Sequence, residues 1–163
     1  MAGGRRRPYA RVCADPEVTR HFPYVLTREE SEAQVGRIVR HWDKRGLGLW
    51  AVEEKASGAF IGLRYNEKWS EDEHETEVGW RIDRAWRNRG LATMGARASL
   101  GYGFEVLESE RIIGFTVPEN GASRRIPARY GEVRLRAAGR DAMGGLNHLW
   151  YALDRRYWEA AEN

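Results

Sequence analysis

The chain has 163 residues, of which 42% are hydrophobic and 31% are charged, and its formal net charge is +3. This balance is typical of one globular domain with a sizeable core and argues against a disordered chain. Because no apolar run reaches the roughly 20 residues of a membrane helix, the sequence also argues against a membrane-spanning protein.

The N-terminus, the cysteine content and the distribution of charge indicate where the protein is located and what it binds. The basic N-terminus is not followed by the apolar segment of a secretory signal, and the single cysteine, Cys13, cannot form an internal disulfide, so we expect a cytoplasmic protein. The basic residues are spread along the chain, which argues against a nucleic acid partner. An arginine-driven RNA-binding role and a homodimer stay open as alternatives. We expect a flexible terminus at 1–7, one domain at 8–158 and a tail at 159–163.

The first third of the chain contains signals for helix ends. Asp15 followed by Pro16 predicts a helix start, because aspartate caps free N–H groups and proline fits the first helical position. Thr27 and Glu30 have the spacing of a capping box, and the helix that they open is expected to end near Gly46.

Strand signals follow this helix. Residues 47–53 and 59–65 are apolar runs joined by a short turn with a glycine, which predicts a hairpin. The polar and acidic residues 66–74 predict a loop.

The central stretch combines a strand, a basic turn and a helix. Val78, Trp80 and Ile82 alternate with polar or small residues, as expected for a half-buried strand. After the turn, the apolar residues recur every three or four positions, which keeps them on one face and predicts a helix. These residues are Leu91, Met94, Ala98, Tyr102 and Val106.

The basic turn predicts a phosphate site. Small residues at Gly90 and Ala92 leave the first N–H groups of the helix open to a ligand, and the helix dipole is positive there. Three arginines, Arg84, Arg87 and Arg89, add positive charge. Neither the P-loop nor the Rossmann glycine fingerprint is present.

The last part of the chain completes an α/β pattern. Residues 111–117 predict a strand that runs parallel to the central strand, because a long helix connects the two. Asn120 is a candidate cap for the next helix. Residues 132–138 and 148–153 predict two final strands around a glycine-containing turn at 139–145.

Residues 87–92, Arg-Asn-Arg-Gly-Leu-Ala, match the signature [Q/R]-x-x-G-x-[G/A] and so resemble the GNAT acyl-CoA N-acyltransferases. The surrounding residues resemble the RimJ/RimL-type branch of that superfamily over about two-thirds of the chain. They are Asp15 to Val18, Arg20 to Pro23, Glu77 to Ile82, Trp86, Thr93 and the N-x-x-S segment from Asn120 to Ser123.

The resemblance implies a fold and a cofactor site. The fold is a single-domain, mixed, mostly antiparallel sheet with a central parallel strand pair that splays apart, flanked by helices. The pantetheine arm of acetyl-CoA fills the splay, and backbone amides at the start of the helix hold the pyrophosphate. The implied cofactor-binding residues are Trp80, Arg81, Ile82, Arg87, Asn88, Arg89, Gly90, Leu91, Ala92, Thr93 and Asn120.

Transfer to an amine requires the neutral amine, but an amine with a pKa of about 10.4 is almost fully protonated at neutral pH. A carboxylate, acting directly or through water, is the usual proton acceptor. Glu77 is the candidate base, on a strand position that is typically acidic in the RimJ/RimL branch. The alternatives are a structural ion pair of Glu77 with an arginine and a role for Glu75 instead.

The departing thiolate of coenzyme A needs a proton or a hydrogen bond. Many GNAT enzymes use a tyrosine, but the matching position here is Pro127, and Tyr130 matches a core leucine. Ser123 is the candidate donor, with a local role in the first helical turn as the alternative. Pro127 would also disturb its predicted helix.

Relatives begin with a strand for which residues 1–8 offer no equivalent, so we expect an exposed sheet edge. No metal-ligand spacing is present. The sequence therefore predicts an N-acetyltransferase that moves acetyl from acetyl-CoA to a primary amine, such as a protein N-terminus, an amino acid or a small molecule. The alternative is a non-catalytic acyl-CoA-binding module.

Overall fold

The computed structural model describes residues 5–68, 75–126, 136–137 and 149–162. Pro127, Tyr130 and the predicted turn at 139–145 lie outside the described residues. The elements follow one another in the order α1 (Arg6–Ala14), α2 (Pro16–Thr19), α3 (Arg28–Arg45), β1 (Leu49–Glu53), β2 (Phe60–Lys68), β3 (Glu75–Ile82), a 3₁₀ turn (Arg84–Trp86), α4 (Leu91–Gly101) extended by a π-helical turn (Tyr102–Val106), β4 (Arg111–Thr116), α5 (Gly121–Arg124), β5 (Arg136–Ala137), β6 (Leu149–Asp154) and α6 (Arg155–Glu162).

The six strands of the described residues form one sheet in the order β1-β2-β3-β4-β6-β5. The central neighbours β3 and β4 are parallel, and every other pair is antiparallel. This topology confirms the predicted mixed, mostly antiparallel sheet with a central parallel pair. The parallel pair arises because α4 carries the chain back across the sheet before β4 begins.

The helix ends match the capping signals. The side chain of Asp15 accepts a hydrogen bond from the backbone N–H of Glu17 at 2.9 Å. Thr27 and Glu30 form the reciprocal capping box, and Gly46 ends α3 in the left-handed conformation. α1 begins at Arg6, so the terminus predicted at 1–7 overlaps a helix.

Helices cover both faces of the sheet. On the side that we call the α1 face, α1 and α3 pack on β2 around a buried cluster of Tyr9, Val12, Cys13, Val18, Val35, Ile38, Phe60 and Leu63. On the side that we call the α4 face, α4 and α6 pack around Val78, Leu100, Phe104, Ile112, Leu153 and Trp158. None of the described helices is both long and apolar enough to cross a membrane.

The helix predicted from Leu91 is present as α4, but the apolar residues that share one of its faces are not its buried face. Met94 is 67% exposed and Val106 is 62% exposed, whereas the residues that face the sheet include Ala96, Ser99 and Leu100. Small side chains let the helix approach β2 closely enough for the guanidinium of Arg64 to donate to Ser99 Oγ at 2.6 Å. Hydrophobicity alone pointed to the larger residues and therefore to the wrong face.

The sequence also predicted a loop at 66–74 and an exposed edge of the sheet. The loop predicted at 66–74 begins too early, because β2 continues through Lys68 and pairs there with Thr76 of β3. β1 has one strand neighbour, β2, among the described residues, as expected for an exposed edge. At the end of this strand, Glu53 forms an ion pair with Arg5.

Gly62 holds β2 and β3 together at a point of close approach. A Cβ at this position would lie 2.1 Å from the carbonyl oxygen of Arg81, and the φ of Gly62 is +153°. Gly62→Ala should therefore lower the free energy of unfolding by about 2–4 kcal/mol, because backbone must move to relieve the clash. Chemical denaturation measures this loss.

Gly95→Ala in α4 is the matched control, since a Cβ there meets nothing within 4 Å. It should leave stability unchanged or raise it by about 0.5–1 kcal/mol. Equal stabilities of the Gly62 variant and the wild type would contradict the close approach of the two strands.

Candidate active site

The site begins where β3 and β4 separate. β3 pairs with β4 at Glu75, Thr76 and Glu77, and Glu77 pairs with Ile113. Beyond Glu77, β2 is the one strand neighbour of β3 in the part of the chain that the structure describes. Backbone groups that would face β4 are left for another partner. The central pair is therefore splayed, as predicted.

A cleft of about 600 Å³ occupies this splay, a size suited to a small-molecule ligand. It is lined by the end of β3, the turn after it, the first residues of α4, the end of β4, α5 and the segment between α2 and α3. Of the predicted cofactor residues, all but Arg89 line it: Trp80, Arg81, Ile82, Arg87, Asn88, Gly90, Leu91, Ala92, Thr93 and Asn120.

Asp83 fixes the turn between β3 and α4. Its backbone N–H donates to the carbonyl of Ile61 at 2.9 Å, and its carboxylate accepts from the N–H of Ala85 at 3.0 Å. The same carboxylate forms an ion pair with Arg11 of α1 at 3.1 Å. This mostly buried aspartate therefore ties the turn to the sheet and to α1.

The three arginines of the turn differ in their roles. Arg84 forms an ion pair with Asp15 at 3.2 Å and is not among the described residues that line the cleft. Arg87 lines the cleft, and its guanidinium donates to the carbonyl of Glu17 at 3.0 Å. Arg89 lies over the ring of Trp86 at 4.7 Å.

The backbone before α4 adopts the left-handed region twice, at Asn88 with φ of 60° and at Gly90 with φ of 75°. For a non-glycine residue this conformation is uncommon, and such strain concentrates at functional sites. Gly90 is the N-cap of α4 and has no side chain with which to cap the helix. The first N–H groups of α4, at Leu91 and Ala92, therefore border the cleft without an intrahelical acceptor.

The chemistry of the cleft suits an anionic ligand with amide groups. No aspartate or glutamate is among its lining residues in the described part of the chain, whereas Arg20, Arg81, Arg87 and Arg125 are. The buried hydroxyl of Thr116 lacks a hydrogen-bond partner there and can bond a ligand. These features fit coenzyme A, which carries phosphates at one end and amides along its arm.

The two predicted catalytic residues lie at different places. Glu77 is 7% exposed at the closed end of the splay and is not part of the cleft lining. Ser123 lines the cleft on α5, where its backbone N–H donates to the side chain of Asn120 at 3.2 Å. Asn120 thus acts as the predicted helix cap while it borders the cleft.

Tyr151 is a cleft residue that the sequence did not reveal. It stands on β6 opposite Gly114 of β4, and its phenol occupies the space in which a side chain at Gly114 would lie. Burial, and then the charge of Glu77, raise the pKa of Tyr151, so its hydroxyl stays protonated at physiological pH. The glycine within an apolar strand was the available signal, but the strand register was needed to interpret it.

His21 is a second missed cleft residue. Burial, and then the charge of Arg20, lower the pKa of His21, while Glu119 acts in the opposite direction. The imidazole is therefore mostly neutral at pH 7 and is able to accept a proton.

The splayed parallel strand pair and the open helix start agree with the fold of solved acetyltransferases. The chain belongs to the GNAT acetyltransferase family, since the model of the acetyltransferase (GNAT) domain matches residues 6–133. It is an acetyltransferase, a class of enzyme whose GNAT members take acetyl-CoA as co-substrate.

Individual relatives agree with this family. The chain is 39% identical to the uncharacterised N-acetyltransferase YnaD of Bacillus subtilis over 119 residues, which are 72% of this chain and 67% of YnaD. Its fold resembles that of a GNAT-family acetyltransferase from Bacillus anthracis, with a TM-score of 0.77, 24% identity and coverage of 94% of this chain and 90% of the other. A ribosomal-protein-S5-alanine acetyltransferase from Vibrio fischeri matches with a TM-score of 0.71 and 17% identity, over 97% and 92% of the two chains.

Proposed function

We propose that this protein is an N-acetyltransferase that transfers the acetyl group of acetyl-CoA to a primary amine by direct attack, as a member of the RimJ/RimL-type branch. The observation that carries the proposal is the cleft between the splayed strands, which ends at the left-handed Gly90 and the open N–H groups of α4. The branch is supported by residues 77–82 and 87–93 and by the fold shared with a ribosomal-protein acetyltransferase.

The proposed binding mode uses mainly backbone. The pyrophosphate lies against the N–H groups of residues 88–93, where the helix dipole and Arg87 favour negative charge. The pantetheine arm lies along Trp80, Arg81 and Ile82, whose backbone groups face the splay, and Thr116 supplies a hydroxyl. The thioester then reaches the closed end, near Glu77 and Tyr151.

In the proposed reaction, the amine nitrogen attacks the thioester carbonyl carbon and forms the new C–N bond. Glu77 accepts a proton from that nitrogen through a water molecule, since it lies at the closed end of the splay and does not itself line the cleft. The C–S bond breaks, and the thiolate leaves and takes a proton from solvent, so that the products are the N-acetyl amine and free coenzyme A. Tyr151 donates a hydrogen bond to the departing sulfur, and Ser123 is the alternative donor.

The proposal is tested by release of the coenzyme A thiol from acetyl-CoA in the presence of a panel of primary amines. The expected result is saturable, amine-dependent release together with stoichiometric binding of acetyl-CoA. Tight binding without turnover on any amine would replace the proposed enzyme activity with acyl-CoA binding alone. Affinity for RNA that acetyl-CoA does not reduce would instead support the RNA-binding alternative.

Tyr151→Phe should lower kcat by about 10-fold to 100-fold, because one hydrogen bond to the departing thiolate is lost in the transition state. The dissociation constant of coenzyme A should stay within about twofold, since that hydroxyl does not serve the phosphates. Because the pKa of Tyr151 is raised, the variant should keep the shape of the wild-type pH–rate profile up to about pH 10. Single-turnover kinetics and calorimetry separate the two constants.

Tyr102→Phe is the matched control, since Tyr102 packs against the ring of Trp50 outside the cleft. It should retain full activity. A normal kcat in Tyr151→Phe with a reduced kcat in Ser123→Ala would assign the sulfur contact to Ser123.

A further inference from the structure

Arg81 has an unusual environment on the α1 face of the sheet. It pairs across the ladder with Leu63, which belongs to the α1-face cluster, and its guanidinium reaches α1 to donate to the sulfur of Cys13 at 2.9 Å. The centre of the guanidinium lies 4.1 Å from the ring of Phe22. Arg81 and Phe22 both line the cleft.

This guanidinium lacks an anionic partner among the described residues. Its Nε is buried and makes no hydrogen bond there, and its one polar contact is to a thiol, which is a weak acceptor. The nearby carboxylates of Asp15 and Asp83 are paired with Arg84 and Arg11. A half-buried guanidinium is costly to leave in this state, so an anion that enters the cleft would be bound strongly here.

The position of the side chain separates this anion from the phosphates of coenzyme A. Side chains alternate along β3, so Val78 and Trp80 pack on the α4 face whereas Arg81 projects onto the opposite face. The proposed pyrophosphate site lies at the start of α4. A ligand group beside Arg81 therefore belongs to the second substrate, which meets the thioester from the α1 face.

The neighbouring segment between α2 and α3 adds no negative charge. Arg20, His21, Phe22 and Pro23 line this half of the cleft, and His21 is mostly neutral at pH 7. This half of the cleft thus disfavours acceptors with additional positive charge and favours an anionic one. A planar guanidinium matches a carboxylate with two parallel hydrogen bonds.

We propose that Arg81 binds the carboxylate of the acetyl acceptor, and that the acceptor is therefore a free amino acid or a similar amine that carries a carboxylate. This inference rests on the proposed acetyltransferase function and deepens it by naming the substrate class. It separates free amino acids from protein N-termini, in which the carboxylate next to the amine has become an amide.

The test compares each common amino acid with its carboxamide as acceptor, and adds ethanolamine phosphate. In the wild type, kcat/KM for the best amino acid should exceed that for its carboxamide by at least about 30-fold. Arg81→Gln should remove this preference, lowering kcat/KM for the amino acid while that for the carboxamide stays within about threefold. Arg81→Lys should give an intermediate preference for the amino acid, because lysine keeps the positive charge but lacks the planar pair of donors that matches a carboxylate.

Controls separate this effect from damage to the fold or to the acetyl-CoA site. Arg28→Gln removes an exposed arginine on α3 outside the cleft and should keep the full preference. Thermal unfolding of Arg81→Gln should be unchanged or shifted upward, since an unpaired charge is removed. Its affinity for acetyl-CoA should not change, because the proposed contact of the pantetheine arm is with the backbone of Arg81, which the substitution keeps.

The outcomes also distinguish this inference from the proposed function. Turnover without a preference for carboxylates, a preference that survives in Arg81→Gln, or a preference for ethanolamine phosphate would overturn the role of Arg81 alone. If no amine is acetylated, the proposed function fails. Calorimetry with N-acetyl amino acids then still tests the carboxylate site, and equal affinities for these compounds and their carboxamides would overturn it.

Discussion

Gly90→Val is expected to weaken binding of coenzyme A by at least about tenfold, which corresponds to about 1.4 kcal/mol. Gly90 is the N-cap of α4, and its φ of 75° is a conformation that a β-branched residue adopts only with strain. A valine side chain there would also stand where the pyrophosphate approaches the N–H groups of α4. Calorimetric titration of the folded variant measures the loss.

Gly46→Val separates strain from ligand contact. Gly46 has a similar φ of 69°, and a Cβ at Gly46 or at Gly90 would have open space around it. Unlike Gly90, Gly46 lies at the end of α3, outside the cleft. Both variants should lose similar stability, and only Gly90→Val should lose affinity. Equal affinities in the two variants would remove Gly90 from the proposed phosphate site.

Glu77→Gln is expected to lower kcat by about 100-fold or more while the affinity for acetyl-CoA stays the same, because general base catalysis contributes on this scale. The amide has nearly the shape of the carboxylate but cannot accept the proton. The residual rate should then rise with pH toward the pKa of the acceptor amine, about 10.4 for a lysine-like amine, since only the neutral amine reacts. Steady-state rates across this pH range give both results.

His21 is the rival base, because it lines the cleft and Glu77 does not. His21→Gln should retain most of the activity if Glu77 accepts the proton. An unaltered pH profile in Glu77→Gln, with the loss of activity found in His21→Gln, would transfer the role to His21.

The parts of the fold that could be predicted are those set by local interactions. The cap at Asp15, the capping box at Thr27 and the end of α3 at Gly46 each satisfy backbone groups within a few residues, so the sequence contains the whole interaction. The turn and helix start around Gly90 were found for the same reason. This segment also carries most of the proposed cofactor site.

The parts that could not be predicted depend on register between distant segments. Tyr151 lines the cleft because β6 places it opposite Gly114, and Arg84 pairs with Asp15, the N-cap of α2, which is distant in the sequence. The buried face of α4 was missed because small residues, among them Ala96 and Ser99, allow close packing that a hydrophobicity pattern does not register. The lack of an anionic partner for Arg81 among the described residues likewise depends on contacts between distant segments, which the sequence does not give.

The central claim is that the open N–H groups at the start of α4 hold the pyrophosphate of coenzyme A. A crystal structure of the protein with desulfo-coenzyme A tests it most directly. We expect pyrophosphate oxygens within about 3 Å of backbone nitrogens in residues 88–93, with the pantetheine arm between β3 and β4. A pyrophosphate bound elsewhere, or a splay that stays empty at millimolar ligand, would contradict the account.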